Sequence, residues 1–390
     1  MKDINEIKDK QQIERIQQKI LDLLSSDGVI PLYEEQLMDQ LDLTVEEEDR
    51  LHEVLDLMVK QGKLVVTKKK KYALPEDLGF ICGRLQGNSK GFGFFIPDYG
   101  GDDVYISAEN LNGAMHNDRV LIRLLKSDGR SKEGEVVRIL ERANKTIVGT
   151  FEKDKNFGFV IPDDKRIYQD VFIPKEEIKD VKNGYKVVVE LVRWPQKRRN
   201  PEGRIVEVLG YKDDVGTDIL SIIRQYNLPE EFPEEVLKAA QKIPQTIPEE
   251  EIKRRKDFRN LRIITMDGAD AKDLDDAISI ERKDNGNFLL GVHIADVSYY
   301  VKENDVIDRE AYARGTSVYL VDRVIPMLPK ELSNGICSLN PNEDRLAFSV
   351  LMEIDNNGTV INHQIVESVI RSRERMIYED VTKILEENDP

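Results

Sequence analysis

The chain has 390 residues, 40% of them hydrophobic and 34% charged, which is typical of a soluble globular protein with two to four domains. It has no apolar run long enough to span a bilayer, its charged opening lacks a signal-peptide core, and its two cysteines form no CxxC pair. These features argue against a membrane protein, an exported protein and a structural zinc site, and they predict a reduced, cytoplasmic protein. The net charge of −16 comes mainly from residues 211–390, so it does not exclude nucleic-acid binding by the nearly neutral region before them.

Residues 1–75 are predicted to form helices followed by a short basic hairpin. Apolar side chains recur at helical spacing in the first segment, at Ile13, Ile16, Ile20, Leu23 and Leu24. Thr44 and Glu47 form a capping box that opens a later amphipathic helix. A β-prone stretch and four lysines at 68–71 complete a winged-helix pattern. These lysines are either nucleic-acid contacts or a solvated turn, and the sequence favours neither.

An internal repeat follows. The segment KGFGFFIPD at 90–98 recurs as KNFGFVIPD at 155–163, and each copy is followed by a second aromatic strand, VYI and VFI. Short strands separated by turn residues predict one small all-β barrel for each copy, over residues 76–143 and 144–210.

The aromatic side chains of the repeat are predicted to bind single-stranded RNA. Alternate residues of a strand share a face, and each base that stacks on an aromatic ring contributes ~1–3 kcal/mol. The alternative is that these rings fill the barrel cores, but the duplication and the neighbouring lysine favour binding. The residues concerned are Lys90, Phe92, Phe94 and Tyr105 in the first copy, and Phe157, Phe159 and Phe172 in the second.

Both copies resemble cold-shock domains, the OB-type barrels that bind single-stranded nucleic acid. The second copy has Asn156 where the first has Gly91, so its surface is expected to bind differently.

Two less regular stretches come next. Residues 193–204 combine Trp194 with Arg193, Lys197, Arg198, Arg199 and Arg204, and are either an extension of the RNA path or a hairpin with a solvated basic tip. Residues 211–258 contain four prolines between short helical patterns, and we interpret them as a connector that rests on the following domain.

Five aspartates lie within residues 267–276, between two apolar runs that are predicted to be strands. Carboxylates this close together repel, so the segment is either a solvated loop or a cation site. Ligands that are all oxygen favour Mg²⁺ or Mn²⁺ over zinc. An EF-hand starting at Asp273 is excluded because its sixth position is Ile278 rather than glycine, and no phosphate-loop, GxSxG or HExxH motif occurs.

The run TMDGADAKDLDDA resembles the opening of the RNB catalytic domain of ribonucleases II and R. By this resemblance Asp267, Asp273, Asp275 and Asp276 are the active-site aspartates. Asp267 and Asp276 are the expected direct metal ligands, and Asp275 holds a second ion or a water. Asp275 and Asp276 are accordingly the predicted catalytic residues, whereas Asp270 matches none of the four positions.

Later motifs resemble the same domain in the same order. They are VHIADVS at 292–298, RGTSVY at 314–319, VIPMLP at 324–329, LSNGICSLNP at 332–341 and DRL at 344–346. The resemblance implies that Tyr319 stacks on a base near the RNA 3′ end, although the strand pattern alone makes it a core residue. His293 is predicted to be a buried structural histidine.

The domain order resembles the ribonuclease R branch of the RNB family and implies an α+β multidomain protein that ends in an incomplete RNB domain at 259–390. The implied activity is processive, Mg²⁺-dependent 3′→5′ hydrolysis of single-stranded RNA and of RNA with 3′ overhangs, with release of nucleoside 5′-monophosphates. The resemblance also implies ribosomes or RNA-decay factors as possible partners. It implies no association with a membrane. Because family members continue further, we expect this chain to have weak or no activity. The alternative is a non-catalytic RNA-binding or chaperone protein with two cold-shock domains.

Overall fold

The computed structural model describes residues 2–26, 30–125, 132–178, 181–196 and 199–387, without the side chains of residues 2–10, 45 and 46. It divides into two units, residues 1–227 and 228–390. Within the part of the chain that is described, no helix is both long and apolar enough to cross a membrane. Both cysteines are buried free thiols, one in each unit.

The first unit begins with three helices and a two-stranded hairpin. These elements are α1 (Lys2–Leu24), α2 (Glu34–Gln40), α3 (Val45–Lys60), β1 (Val65–Val66) and β2 (Tyr72–Ala73). Ile16 and Ile20 of α1 are completely buried in a cluster with apolar residues of α2 and α3, as the helical spacing predicts. The capping box is confirmed, because the Glu47 carboxylate accepts the Thr44 N–H at 3.0 Å. The element order is the one predicted for a winged helix.

Two closed five-stranded barrels follow. Barrel 1 contains β3 (Phe80–Gly87), β4 (Gly93–Pro97), β5 (Val104–Ile106), β6 (Arg119–Leu125) and β7 (Glu133–Glu141). Barrel 2 contains β8 (Thr146–Lys153), β9 (Phe157–Pro162), β10 (Val171–Pro174), β11 (Tyr185–Arg193) and β12 (Glu202–Tyr211). The strand order is the same in both, first-second-third-fifth-fourth, so the repeated sequence produces a repeated fold.

The barrel cores are filled by side chains other than the aromatic residues predicted to bind RNA. Phe95 and Phe151 are completely buried at the centres of barrels 1 and 2. A Cβ at Gly158 would lie 2.3 Å from the Phe151 ring, which explains why glycine alternates with the aromatic residues on β9.

Helix α4 (Thr217–Gln225) corrects one prediction. The sequence assigned it to a connector that rests on the following domain, but it packs against β8, β11 and β12 of barrel 2. Its Ile219 and Ile223 are buried, and Arg224 donates two hydrogen bonds to the Glu207 carboxylate at 2.7 and 3.0 Å. The apolar face of a helix can be read from its sequence, but the partner that covers this face cannot.

The second unit is a seven-stranded mixed sheet with short helices, in the order β13-β20-β19-β16-β15-β14-β21. Its helices are α5 (Glu234–Ala240), α6 (Glu249–Arg254), α7 (Val297–Tyr300), α8 (Val306–Arg314) and α9 (Tyr378–Thr382). The sheet strands are β13 (Lys256–Asp257), β14 (Ile263–Asp267), β15 (Asp276–Arg282), β16 (Phe288–Ala295), β19 (Asp344–Ile354), β20 (Val360–Arg371) and β21 (Glu374–Ile377). A separate hairpin consists of β17 (Val318–Tyr319) and β18 (Val324–Ile325). The predicted α+β multidomain class is confirmed.

A chain of hydrogen bonds crosses four strands of this sheet. His293, which is completely buried, contacts the hydroxyl of Ser279 at 3.0 Å through Nε2 and that of Ser349 at 2.6 Å through Nδ1. Ser349 in turn lies 2.6 Å from the hydroxyl of Ser368. His293 is therefore a structural histidine, as predicted, and burial lowers its pKa from 6.5 to about 4.

This histidine is expected to make the second unit less stable in mild acid. In the unfolded chain His293 takes up a proton near pH 6.5, and in the folded chain only near pH 4. Its contribution to the free energy of unfolding is therefore fully present above pH 6.5 and is lost as the pH falls towards 4. Between pH 7 and pH 5 the loss from this group should be about 2 kcal/mol.

Urea unfolding of wild type, His293→Gln and His363→Gln at both pH values checks this expectation. His363 is exposed on β20, so its variant should show the wild-type pH dependence, whereas His293→Gln should show a smaller one. Equal pH dependence in all three proteins would contradict the argument.

Candidate functional site

The aspartates lie at one end of the sheet of the second unit. Strand β14 ends at Asp267, and its antiparallel neighbour β15 begins at Asp276, so both residues lie at the same sheet end. Asp270, Asp273 and Asp275 are in the turn between these strands. The predicted site residues are therefore brought together by the antiparallel pairing of β14 with β15.

The C-terminal half of this turn is held by a segment more than sixty residues later in the chain. The hydroxyl of Ser338, which is completely buried, donates to the Lys272 carbonyl at 2.9 Å and accepts the Leu274 N–H at 3.1 Å. Arg345 is also buried, and its Nε donates to the Ser338 carbonyl at 2.7 Å. The LSNGICSLNP and DRL motifs thus position the aspartate turn.

The N-terminal half of the turn is held by Arg375. Strand β21 pairs in parallel with β14, and Arg375 Nη2 donates to the carbonyls of Gly268 and Ala269 at 3.2 and 2.7 Å. The positive charge of Arg375 also lowers the pKa of Asp267, whereas the charges of the neighbouring carboxylates raise it. Among the residues that the structure describes, neither Asp267 Oδ2 nor Arg375 Nε has a hydrogen-bond partner, although both atoms are buried.

The aspartates influence one another electrostatically. Burial raises the pKa of Asp267, the charge of Asp276 raises it further, and Arg375 lowers it in part. Loss of solvation raises the pKa of Asp275, and the charges of Asp273 and Asp276 add to this effect. A cation bound here would offset the carboxylate charges that help to raise the pKa of Asp267 and Asp275.

The chemistry of these side chains suits a hard divalent ion. All donors are carboxylate oxygens, and one of them, Asp267 Oδ2, is buried and has no hydrogen-bond partner in the described part of the chain. Across the described ranges, however, no three His, Cys, Asp or Glu side chains are already grouped as a metal centre. The donor set fits such an ion in kind, and binding would require the carboxylates to move closer together.

Tyr319 lies beside the aspartates on the β17–β18 hairpin. Its hydroxyl donates a short hydrogen bond to the Asp273 carboxylate, and this bond is the main reason that the pKa of Tyr319 is raised to about 12. The residue is 64% exposed, so the core position suggested by its strand pattern is wrong. Its ring is open to a ligand, as the family resemblance implies.

Tyr319 and Asp273 line a cavity of about 850 Å³. Four basic side chains also line it, namely Lys272, Arg323, Lys330 and Arg375. The acidic side chains of its lining are Asp270, Asp273 and Asp322. A cavity lined by both carboxylates and cations can receive an anionic ligand next to a bound metal ion.

The repeated aromatic side chains form a cluster on each barrel of the first unit, and they are half-buried except for Phe94, which is exposed. In barrel 1 the ring centroids of Phe92 and Phe94 are 5.6 Å apart, and those of Phe92 and Tyr105 are 5.4 Å apart. Phe94 is 39% exposed, which excludes the alternative that it fills the core.

The cluster of barrel 2 has the same geometry. Phe157 lies 5.6 Å from Phe159 and 5.8 Å from Phe172, measured between ring centroids. Lys90 is exposed next to the first cluster. The RNA-binding role of all seven side chains stays a prediction.

The basic stretch at 193–204 is only partly described, because Lys197 and Arg198 lie outside the described residues. Arg193 and Arg204 form ion pairs with Glu202 and Glu190, at 3.0 and 2.6 Å. In the N-terminal hairpin, Lys68, Lys69 and Lys70 are exposed. Both alternatives thus stay open for each segment: its basic side chains either bind nucleic acid or are only solvated.

Sequence reasoning missed the residues that orient the turn, Ser338, Arg345 and Arg375. The first two lie inside motifs that carried the family resemblance, but no role was attached to them. Arg375 lies in no recognised motif, and its role depends on the parallel pairing of β21 with β14.

Three family models match the chain. They are the RNB domain at residues 255–390, a cold shock domain at 159–233 and the ribonuclease B OB domain at 83–139. These matches begin at residue 83, so the winged-helix assignment of the N-terminal segment stays a prediction.

Curated proteins and solved structures agree with these matches. The chain is 45% identical to a ribonuclease R of Thermotoga maritima, over 88% of this chain and 49% of that protein. It is 39% identical to a ribonuclease R of Acidithiobacillus ferrooxidans, over 91% of this chain and 81% of that protein. It resembles the structure of Mycoplasma genitalium RNase R in complex with ribose-methylated single-stranded RNA at a TM-score of 0.72 and 30% identity, over 80% of this chain and 49% of that one. The chain thus spans about half the length of the first and last of these relatives.

Proposed function

Because this chain belongs to the ribonuclease R family, we propose that it takes part in hydrolysis of RNA phosphodiester bonds from the 3′ end, with release of nucleoside 5′-monophosphates. The observation that supports this most directly is that Asp267 and Asp275 have pKa values raised in part by neighbouring aspartates, one of which, Asp273, lines a cavity together with four basic side chains. A protein that only bound RNA would gain nothing from carboxylates that repel the phosphate backbone.

We assign a divalent ion, Mg²⁺ or Mn²⁺, to Asp267, Asp273, Asp275 and Asp276. An ion held there would lower the pKa of a bound water and offset charge on the phosphate oxygens. Asp267 and Asp276 are the proposed direct ligands, and Asp275 is proposed to hold a second ion or orient the water.

The remaining side chains of the site bind and orient the RNA end. The Tyr319 ring, exposed on its hairpin, is proposed to stack on a base near the 3′ end. Lys330 and Arg323 line the cavity and offer donors to phosphates. None of these contacts reads a base edge, so we expect degradation without base specificity.

The barrels of the first unit are proposed to bind single-stranded RNA and the 3′ overhangs of structured RNA. Their partly exposed aromatic clusters are proposed to provide stacking surfaces that tolerate any sequence. Binding to several bases of one strand is consistent with processive degradation.

The test uses single-stranded RNA labelled at its 5′ end, incubated with the protein in Mg²⁺ or in EDTA. Because this chain is expected to be weakly active at most, we expect a faint ladder that shortens progressively from the 3′ end in Mg²⁺, nucleoside 5′-monophosphates as products, and intact RNA in EDTA. Blunt duplex RNA should resist, and a duplex with a 3′ overhang should be shortened at the overhang first.

The second candidate function is RNA binding or chaperoning without hydrolysis, which the two partly exposed aromatic clusters favour. RNA that is bound but keeps its full length in Mg²⁺ would establish this alternative for the chain. Products that arise by internal cleavage would contradict the proposal in a different way, because they would indicate an endonuclease.

A further inference from the structure

The connection between β9 and β10 of barrel 2, residues 163–170, lies against barrel 1 within the same unit. A Cβ on Gly87, at the end of β3, would lie 2.4 Å from the carbonyl oxygen of Arg166, so glycine is needed for this approach. His116, which is 4% exposed, accepts the Gly87 N–H at 3.2 Å, and its Nε2 lies 4.0 Å from the Asp164 carboxylate. The connection therefore has a defined position on barrel 1.

Tyr168 is part of this connection, and its ring packs on Gly91. A Cβ built on Gly91 would lie 3.3 to 3.7 Å from three atoms of the Tyr168 ring, and the φ of Gly91 is +87°. In the second copy of the motif this position is Asn156. Glycine at position 91 thus leaves room for an aromatic ring from the other barrel, which gives the difference between the copies a physical reason.

The position of Tyr168 is suited to ligand contact. Gly91 directly precedes Phe92 of the barrel 1 cluster, and Phe92 and Tyr168 line one small cavity. Tyr168 is 45% exposed, so its ring is supported by barrel 1 on one side and is partly open to solvent. A supported, half-exposed ring next to a cluster of partly exposed rings has the properties of a further stacking position.

We propose that Tyr168 of barrel 2 stacks on an RNA base next to those bound by the aromatic cluster of barrel 1, so that the two barrels form one continuous binding surface for a single strand. This inference rests on the proposed binding of single-stranded RNA by the barrels. It adds a residue outside the repeated motif and a route by which one strand contacts both barrels.

The test measures fluorescence anisotropy of labelled oligouridylates of about 4 to 16 nucleotides in EDTA, where hydrolysis is not expected. Tyr168→Ala should weaken binding of the long oligonucleotides at least about fivefold and affect the shortest much less. Tyr168→Phe should bind like wild type. Tyr168→Leu retains an apolar contact with Gly91 but has no ring, so it should bind like Tyr168→Ala.

Two control variants separate this inference from the proposed function. Tyr99→Ala removes a tyrosine that is 87% exposed on barrel 1, and it should leave binding unchanged. Phe94→Ala should weaken binding at every length. If Phe94→Ala weakens binding but Tyr168→Leu matches wild type, Tyr168 only packs and the inference is wrong. If the wild-type chain does not bind RNA, the proposed function fails with it.

Discussion

Replacing Asp276 with asparagine is expected to slow the weak shortening of RNA by about 10³-fold or more, and hence to below detection, because a neutral amide cannot replace a carboxylate in holding a divalent ion. RNA affinity in EDTA should stay within about twofold, since the barrels that are proposed to bind the strand belong to the other unit. The variant should also fold, because Asp276 is exposed at the start of β15. The measurement is the initial rate on 5′-labelled RNA in Mg²⁺, with anisotropy in EDTA alongside.

The matched control is Asp270→Asn, which removes the same charge from the same turn at a position that does not match the family's active-site aspartates. Its rate should change by less than about tenfold. Thermal unfolding adds a readout that does not depend on activity, because Mg²⁺ that binds the folded state should raise the melting temperature of wild type and not that of Asp276→Asn. Equal effects of the two variants on the rate would indicate that only the total charge of the turn matters.

Replacing Asp296 with alanine is expected to destabilise the second unit by about 3 to 5 kcal/mol. Asp296 is 3% exposed and accepts hydrogen bonds from Arg255 Nη2 at 2.6 Å and from the Ser298 hydroxyl at 2.7 Å. Arg255 is itself buried, so its charge would lose one of its two closest acidic partners and retain Glu251 at 2.6 Å. An incompletely compensated buried guanidinium accounts for the size of the effect.

Urea unfolding of three variants checks this expectation. Asp305→Ala is the control. Asp296 also caps α7 by accepting the Tyr299 N–H, and Asp305 likewise caps α8 by accepting two backbone N–H groups. Asp305 has no ion pair with a buried arginine among the described residues, so its replacement should cost only about 1 kcal/mol. The double variant Asp296→Ala with Arg255→Met should recover part of the loss, since it removes the buried charge as well. A cost for Asp296→Ala no larger than that for Asp305→Ala would show that the ion pair contributes little.

The features that could be predicted from the sequence are those set by local patterns. The duplicated motif predicted two barrels because strand alternation and turn residues repeat within each copy. The aspartates were placed between two strands because apolar runs flank them, and β14 does end at Asp267 where β15 begins at Asp276. Glu47 was identified as a cap from its spacing to Thr44 alone, and the structure contains that hydrogen bond.

The features that could not be predicted depend on which distant segments pack together. The amphipathic pattern of α4 indicates that Ile219 and Ile223 are buried, but the same pattern would suit either neighbouring domain. Arg375 contacts Gly268 and Ala269 only because β21 pairs in parallel with β14, a pairing for which the sequence contains no local signal. Tyr319 has a strand pattern, but its hairpin lies outside the main sheet, which is why the residue is exposed.

The two residues that hold the aspartate turn, Ser338 and Arg375, are synthesised well after the aspartates themselves. The last aspartate is residue 276, but the anchors are Ser338 and Arg375, so about 100 further residues must be added before both ends of the turn can be held. At translation rates of about 5–20 residues per second, this interval is roughly 5 to 20 seconds. During that time a nascent chain already contains the aspartates of the site but not Ser338 and Arg375, which orient them. An ordered site can therefore form only well after its aspartates have been synthesised.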